Sequence, residues 1–251
     1  MLPADDEDLC YLTGEWRLFQ KTRGHRWSLD DLITAHFAAE QVSAPARCLD
    51  LGCGIGSVLL MIAWRFPAAQ CTGVEAQPMS AALARKSIAW NGAADRVRLI
   101  EADFREAAVD AKFELITGTP PYFPLGSGTL SPRVQAGPCR FEHRGGVEAY
   151  CDAAARALTD DGTFVFCESA PQLPRVEAAL AAAGLHLGAW RAVVPREGKA
   201  PLVSVFAARR ARWDAGPLPA LVVRDRAGQW TPEFLALRAA MGMPPRPSPR
   251  A

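Results

Sequence analysis

The sequence lacks any run of eighteen continuous apolar residues, the minimum for a membrane-spanning helix. Its start, Met1-Leu2-Pro3-Ala4-Asp5-Asp6-Glu7-Asp8, is acidic where a secretory signal would carry an apolar core. The expectation is therefore a soluble, cytoplasmic protein that does not engage a membrane. Seven cysteines occur with no Cys-x-x-Cys pair, which argues against a zinc or disulfide framework. Cys48, Cys71 and Cys167 lie within apolar runs and read as reduced, buried thiols. No internal repeat is present. An excess of one charge is also missing, with 28 basic against 27 acidic residues, so no global field announces nucleic acid. The distribution is less even: residues 1–40 hold eight acids and four bases, residues 186–251 eleven bases and four acids. The basic C-terminal portion, with Arg209, Arg210 and Arg212, is either a contact for RNA phosphates or a solvated surface.

What is present is enough apolar material, 49% of 251 residues, to bury the core of one α/β domain. The reading is a disordered acidic lead over 1–12, a single domain over 13–243 and a disordered proline-rich tail over 244–251. Residues 28–40 place Leu29, Leu32, Ile33, His36 and Phe37 on one helical face behind Ser28 or Asp30 at the N-cap. Strand and helix patterns then alternate: strands at 46–51, 70–75, 96–101, 113–118 and 162–168, and helices at 56–66, 78–91, 147–158 and 172–183. Such alternation predicts right-handed βαβ units and a parallel sheet covered on both faces. Residues 187–194 and 202–208 read as a hairpin that gives the sheet an antiparallel edge. The predicted fold is a Rossmann-like, mostly parallel seven-stranded sheet. A short strand and a helix opened by Thr231-Pro232-Glu233 follow.

Two motifs carry the chemistry. Leu49-Asp50-Leu51-Gly52-Cys53-Gly54-Ile55-Gly56 is a strand running into a glycine-rich turn, where a side chain would block a ligand or demand a strained φ. Ser57 stands where a dinucleotide fingerprint would want its third glycine. Glu75 ends the second strand, placed to accept both hydroxyls of a ribose. Asp103 follows the third, placed for an adenine amino group, with Phe104 beside the ring, and Asp50 can face the amino acid part of the cofactor. NAD is the competing ligand for the glycine turn, but the three strand-end features together select S-adenosylmethionine (SAM). The second motif, Thr119-Pro120-Pro121-Tyr122, follows strand Phe113-Glu114-Leu115-Ile116. Two prolines remove two amide donors and leave carbonyls free to accept from an amino group. Tyr122 can stack on a planar substrate. Past the turn, Phe123, Arg140, His143 and Arg144 are candidate substrate contacts, the arginines as clamps for phosphate or carboxylate.

Leu49 to Gly56, Glu75, Asp103 and the Pro-Pro-Tyr turn resemble class I SAM-dependent methyltransferases that modify planar amino groups. The closer resemblance is to the bacterial valine-tRNA adenine-N6 methyltransferases. It takes in Gly24-His25-Arg26-Trp27-Ser28-Leu29-Asp30-Asp31-Leu32, Tyr122-Phe123, Gly198-Lys199-Ala200-Pro201 and Gly228-Gln229-Trp230-Thr231, roughly residues 15–240. It implies Asp30 near the cofactor and Thr119 to Tyr122 on the target amine. Where that family has Asn this chain has Thr119, an oxygen acceptor on a shorter, β-branched side chain. Three functions follow as expectations. The leading one is SAM-dependent methylation of adenine N6 in a structured RNA such as tRNA. A small-molecule or peptide methyltransferase of the same fold is the second, and a SAM-binding partner subunit with weak or no catalysis the third.

Overall fold

The computed structural model describes residues 2–24, 26–107, 111–122, 142–213 and 215–244. After an N-terminal hairpin, β1 (Glu7–Thr13) and β2 (Trp16–Lys21), the chain alternates: α1 (Leu29–Gln41), β3 (Arg47–Leu51), α2 (Ser57–Arg65), β4 (Gln70–Glu75), α3 (Pro78–Trp90), β5 (Val97–Glu101) and β6 (Phe113–Gly118). Then come α4 (Val147–Ala157), β7 (Leu158–Ser169), α5 (Leu173–Ala182), β8 (His186–Val194), β9 (Val203–Arg209), β10 (Gly216–Val222) and α6 (Pro232–Ala240). Strands β3, β4 and β6 are short and apolar because they are covered on both faces.

The main sheet runs β10-β8-β9-β7-β6-β3-β4-β5. Strands β5, β4, β3, β6 and β7 pair in parallel. The strand order reverses at β3, which lies between β4 and β6. That switch point, outside the carboxyl ends, is where open α/β sheets take their ligands. One face is packed by α1, α2 and α3 through Phe37, Leu59 and Leu83, together with Phe19 of the hairpin and Phe234 of α6. The other is packed by α4 and α5 over a ladder of rings, with Phe164–Phe166 at 4.6 Å and Phe166–Phe206 at 5.2 Å.

Two expectations are corrected. From Glu7 onward the acidic lead is not disordered but forms β1, whose Leu12 is fully buried. Its charge is neutralised locally. Burial by itself would raise the Glu7 carboxyl, but bonds from Lys86, the Ala4 amide and Lys21 hold it down at about 2. Alternation in β1 is masked because two adjacent acids, Glu7 and Asp8, open the strand, one on each face. The sheet also has eight strands rather than seven. The β8–β9 hairpin forms as expected, but β10 pairs in parallel with β8 beyond it and is the edge. Pro217 and Pro219 argue against a strand in the sequence, and an edge strand is where proline is tolerated. Residues 245–251 of the proposed tail lie outside the described residues.

Candidate active site

Gly52, Gly54 and Gly56 all have positive φ, +61°, +57° and +89°. A Cβ on Gly52 would lie 2.4 Å from the Tyr150 hydroxyl, whereas a Cβ on Gly54 would meet nothing within 4 Å. Gly54 is thus glycine for its backbone conformation, and its open side is a cradle that a side chain would fill. The turn is pinned from β4. Cys53 N donates to the Val74 carbonyl at 3.0 Å, and the Cys53 thiol lies 2.7 Å from where a Cβ of Gly73 would be. Glu75, only 5% exposed, accepts from Gly54 N at 2.8 Å through Oε2 and from Gln77 N at 2.7 Å through Oε1. Burial raises its carboxyl. With about four lone-pair directions on a carboxylate, two stay available for a ribose diol.

Next to this turn lies an acidic well. Asp30 and Asp31 come from the first turn of α1, and Asp50 from β3. Ser28 N donates to Asp31 in a capping box (2.8 Å), and Thr117 Oγ1 donates to Asp50 (2.8 Å). Burial raises Asp31 to about 7, with Asp30 and Asp50 pushing the same way; burial and Glu75 likewise raise Asp50 to about 7. Among the described residues no basic side chain forms an ion pair with Asp30, Asp31, Asp50 or Glu75. No metal-ligating cluster forms among them either. Buried carboxylates without a cation suit a cationic ligand. The donor set and the open glycine cradle fit the ammonium and sulfonium of SAM.

The Thr119 to Tyr122 turn leaves the carboxyl end of β6, beside Gly52 in the sheet. Pro120 is buried and Thr119 half-buried, and among the described residues the Thr119 hydroxyl has no hydrogen-bond partner. Tyr122 donates to Asp30 Oδ2 at 2.8 Å and lies 3.3 Å from Cys167 Sγ. Its ring, read from the sequence as a stacking platform, is therefore anchored at its hydroxyl and packed against the core.

The remaining candidates are placed less directly. Phe104 is buried against Tyr150, ring centroids 4.4 Å apart, as an interior residue behind the site. Both oxygens of Asp103 are engaged by Arg105, at 2.9 and 2.7 Å, which keeps the Asp103 carboxyl low; an adenine amino group would compete with that guanidinium. Arg144 sends its field to Glu75 and Asp103, so it sits towards those two carboxylates. His143 is exposed. Phe123 and Arg140 lie outside the described residues. Sequence reasoning missed Asp31, Thr117, Cys167 and Tyr150. Asp31 was legible as the capping-box partner of Ser28. Tyr150 had no local signal, because what makes it matter is the missing Cβ of Gly52 and of Gly118, 2.4 and 2.8 Å from its side chain.

The parallel sheet, glycine turn, strand-end carboxylate and Pro-Pro-Tyr turn define a class I, SAM-dependent methyltransferase. Residues 30–129 match the methyltransferase small domain family. The chain is 27% identical over 224 residues to the tRNA1(Val) (adenine(37)-N6)-methyltransferase of Porphyromonas gingivalis (strain ATCC BAA-308 / W83), covering 84% of this chain and 86% of that one. It is 29% identical over 204 residues to the enzyme of the same name from Yersinia pestis (strain Pestoides F), covering 76% and 77%. Two solved structures share the fold. A predicted O-methyltransferase from Agrobacterium tumefaciens has a TM-score of 0.65 at 20% identity, covering 86% of this chain and 98% of its own. The ribosomal protein L11 methylase of Lactobacillus delbrueckii subsp. bulgaricus has a TM-score of 0.54 at 20% identity, covering 76% and 84%. Among the described residues no helix is long and apolar enough to cross a membrane.

Proposed function

We propose that this protein methylates adenine N6 in a structured RNA, with tRNA as the substrate to test first, in the cytoplasm. The observation that carries the reading is the Thr119-Pro120-Pro121-Tyr122 turn, held by the Tyr122–Asp30 bond beside the glycine turn and the acidic well. Two relatives named as tRNA adenine-N6 methyltransferases support it. When bound, SAM supplies an electrophilic methyl group on a sulfonium. Gly52, Cys53, Gly54 and Gly56 would border it, Glu75 hold its ribose, Asp30 and Asp50 its charged end, and Asp103 its adenine, with Phe104 behind. Thr119 Oγ1 and the Pro120 carbonyl would accept the two N–H bonds of the target amine and point its lone pair at the methyl carbon. These residues would hold and orient the amine, and the proton it loses on methylation would pass to water. Catalysis is then mainly positioning of a poor nucleophile. His143 and Arg144, with Phe123 and Arg140, complete the proposed substrate contacts.

Thr119 favours a second reading. Its oxygen sits closer to the backbone than an asparagine amide, which suits an acceptor other than adenine N6, on a small molecule or peptide. Incubating the protein with labelled SAM and either unmodified tRNA or a metabolite and peptide extract separates the two. Label in N6-methyladenosine after nucleoside digestion is the expected result. Label only in the extract would replace RNA by that acceptor.

A further inference from the structure

Two loops separated in the chain by β9 and β10 converge at one place in the fold. Strand β9 runs antiparallel to β7, β8 antiparallel to β9, and β10 parallel to β8. Strands β8 and β10 therefore point the same way as β6, and the loops that follow them, 195–201 and 223–231, emerge on the edge that carries the Thr119 turn. The loops are bonded into one unit. Glu197 N donates to the Arg224 carbonyl at 2.8 Å, and Lys199 N to the Arg196 carbonyl at 2.9 Å. Asp225 accepts from Gln229 N at 2.8 Å, and the Arg224 guanidinium donates to the Gly228 carbonyl at 2.8 Å. Gly198 and Gly228, each at φ +81°, make the two tight turns. The outer face of this unit is cationic. The Arg196 and Lys199 side chains are exposed and, among the described residues, have no hydrogen-bond or ion-pair partner. Arg226, 81% exposed, meets only Glu197 at 3.2 Å among the described residues, and an exposed pair of this kind holds its partners weakly.

The basic residues picked out in the sequence are not placed for this role. Arg209 ends β9 on the opposite edge, donating to Thr163 at 2.9 Å with its guanidinium 3.8 Å over the Trp213 ring; Arg210 bonds the Ala155 carbonyl. Both are structural.

We infer that Arg196, Lys199 and Arg226 form a rigid rim that contacts the phosphodiester backbone of an RNA substrate whose target base lies at Thr119. This inference rests on the RNA reading above and adds where the strand runs. At about 4.8 Å between neighbouring strands, β8 lies ~14 Å and β10 ~19 Å from β6, a span of a few nucleotides along the substrate. Free cations on a preorganised loop suit phosphate, whereas a small acceptor at Thr119 would not reach them. Glu197 and Asp225 work against the rim; Asp225 is spent on the turn, so Glu197 is the acid whose removal should help.

The test is tRNA binding and methyl transfer from labelled SAM between 50 and 200 mM salt. It compares the parent, an Arg196→Ala/Lys199→Ala/Arg226→Ala triple variant, Glu197→Gln, and Arg212→Ala on the opposite edge. The triple variant should lose about 2–3 from the slope of log affinity against log salt, near 0.9 per phosphate contact. Its KM for tRNA should rise roughly tenfold or more, with SAM affinity and Tm unchanged. Glu197→Gln should lower that KM, and Arg212→Ala leave it as in the parent. A parent that methylates tRNA beside a triple variant with the same slope and KM overturns the rim alone. A parent that neither binds nor methylates RNA overturns the rim together with the RNA reading.

Discussion

Thr119 is the residue where chemistry and sequence departure coincide. Thr119→Val keeps the shape and removes the acceptor, so turnover should fall about tenfold for one lost hydrogen bond while SAM affinity stays constant. Thr119→Asn should match or exceed the parent if adenine N6 is the acceptor, and slow it if the pocket is built around the shorter side chain; single-turnover rates read both. Glu75 tests the other half of the site. Because it braces Gly54 N and Gln77 N, Glu75→Ala should weaken SAM binding tenfold or more by calorimetry and also lower Tm. An unchanged affinity would remove Glu75 from the cofactor site. The strand-end residues were legible because each is reached by local reasoning: a glycine needing positive φ, a carboxylate at the end of β4, two prolines in a turn. Tyr122 was legible in position but not in attachment. Its bond to Asp30 joins residues 92 apart in sequence, and no period or spacing encodes such a pair.

Among the elements, the N-terminal hairpin has the least sequence signal and a clear structural role. Gly14, at φ +50°, lies where a Cβ would come 2.4 Å from Trp64 Nε1, and Gly242 packs on the same indole with a Cβ position 2.7 Å away. Gly14→Ala should cost about 2 kcal/mol through backbone strain and overpacking. That corresponds to a fall of roughly 4–8 °C in Tm, measured by calorimetry. A Tm equal to the parent's would show the indole to be free to move. The βαβ core was readable because apolar strands alternate with amphipathic helices, while β1 hid behind its own acids and β10 behind Pro217 and Pro219. Both hidden elements lie outside that alternating core, where tertiary contacts decide the conformation against local preference.

At the scale of the molecule, the acidic well makes stability and ligand affinity respond to pH in opposite directions. Asp31 and Asp50 titrate near 7 in the fold and near 4 in an unfolded chain, so between these values the native state holds more protons. Their contribution to stability is complete below about pH 4 and is lost as pH rises through 7. A bound cation favours the ionised carboxylates, so SAM binding should release protons, and affinity should climb from pH 5 to 7, up to about tenfold per unit for each proton released, then level off. Calorimetry in buffers of different ionisation enthalpy measures both the affinity and the proton count; a flat profile would place the cation elsewhere. The closure of the fold has a further consequence. Tyr11 and Thr13 of the hairpin donate to the Gly242 and Met241 carbonyls, contacts spanning 231 and 228 residues. The hairpin is also docked on α3, where Phe19 N donates to Ser87 Oγ at 3.0 Å and Arg17 N to Asn91 Oδ1 at 2.8 Å, so residues 241 and 242 latch a hairpin that already has a seat. Contacts of such long range slow folding, and a chain ending before residue 241 should keep the hairpin on α3 yet lose the latch, read as faster cleavage of the hairpin in limited proteolysis.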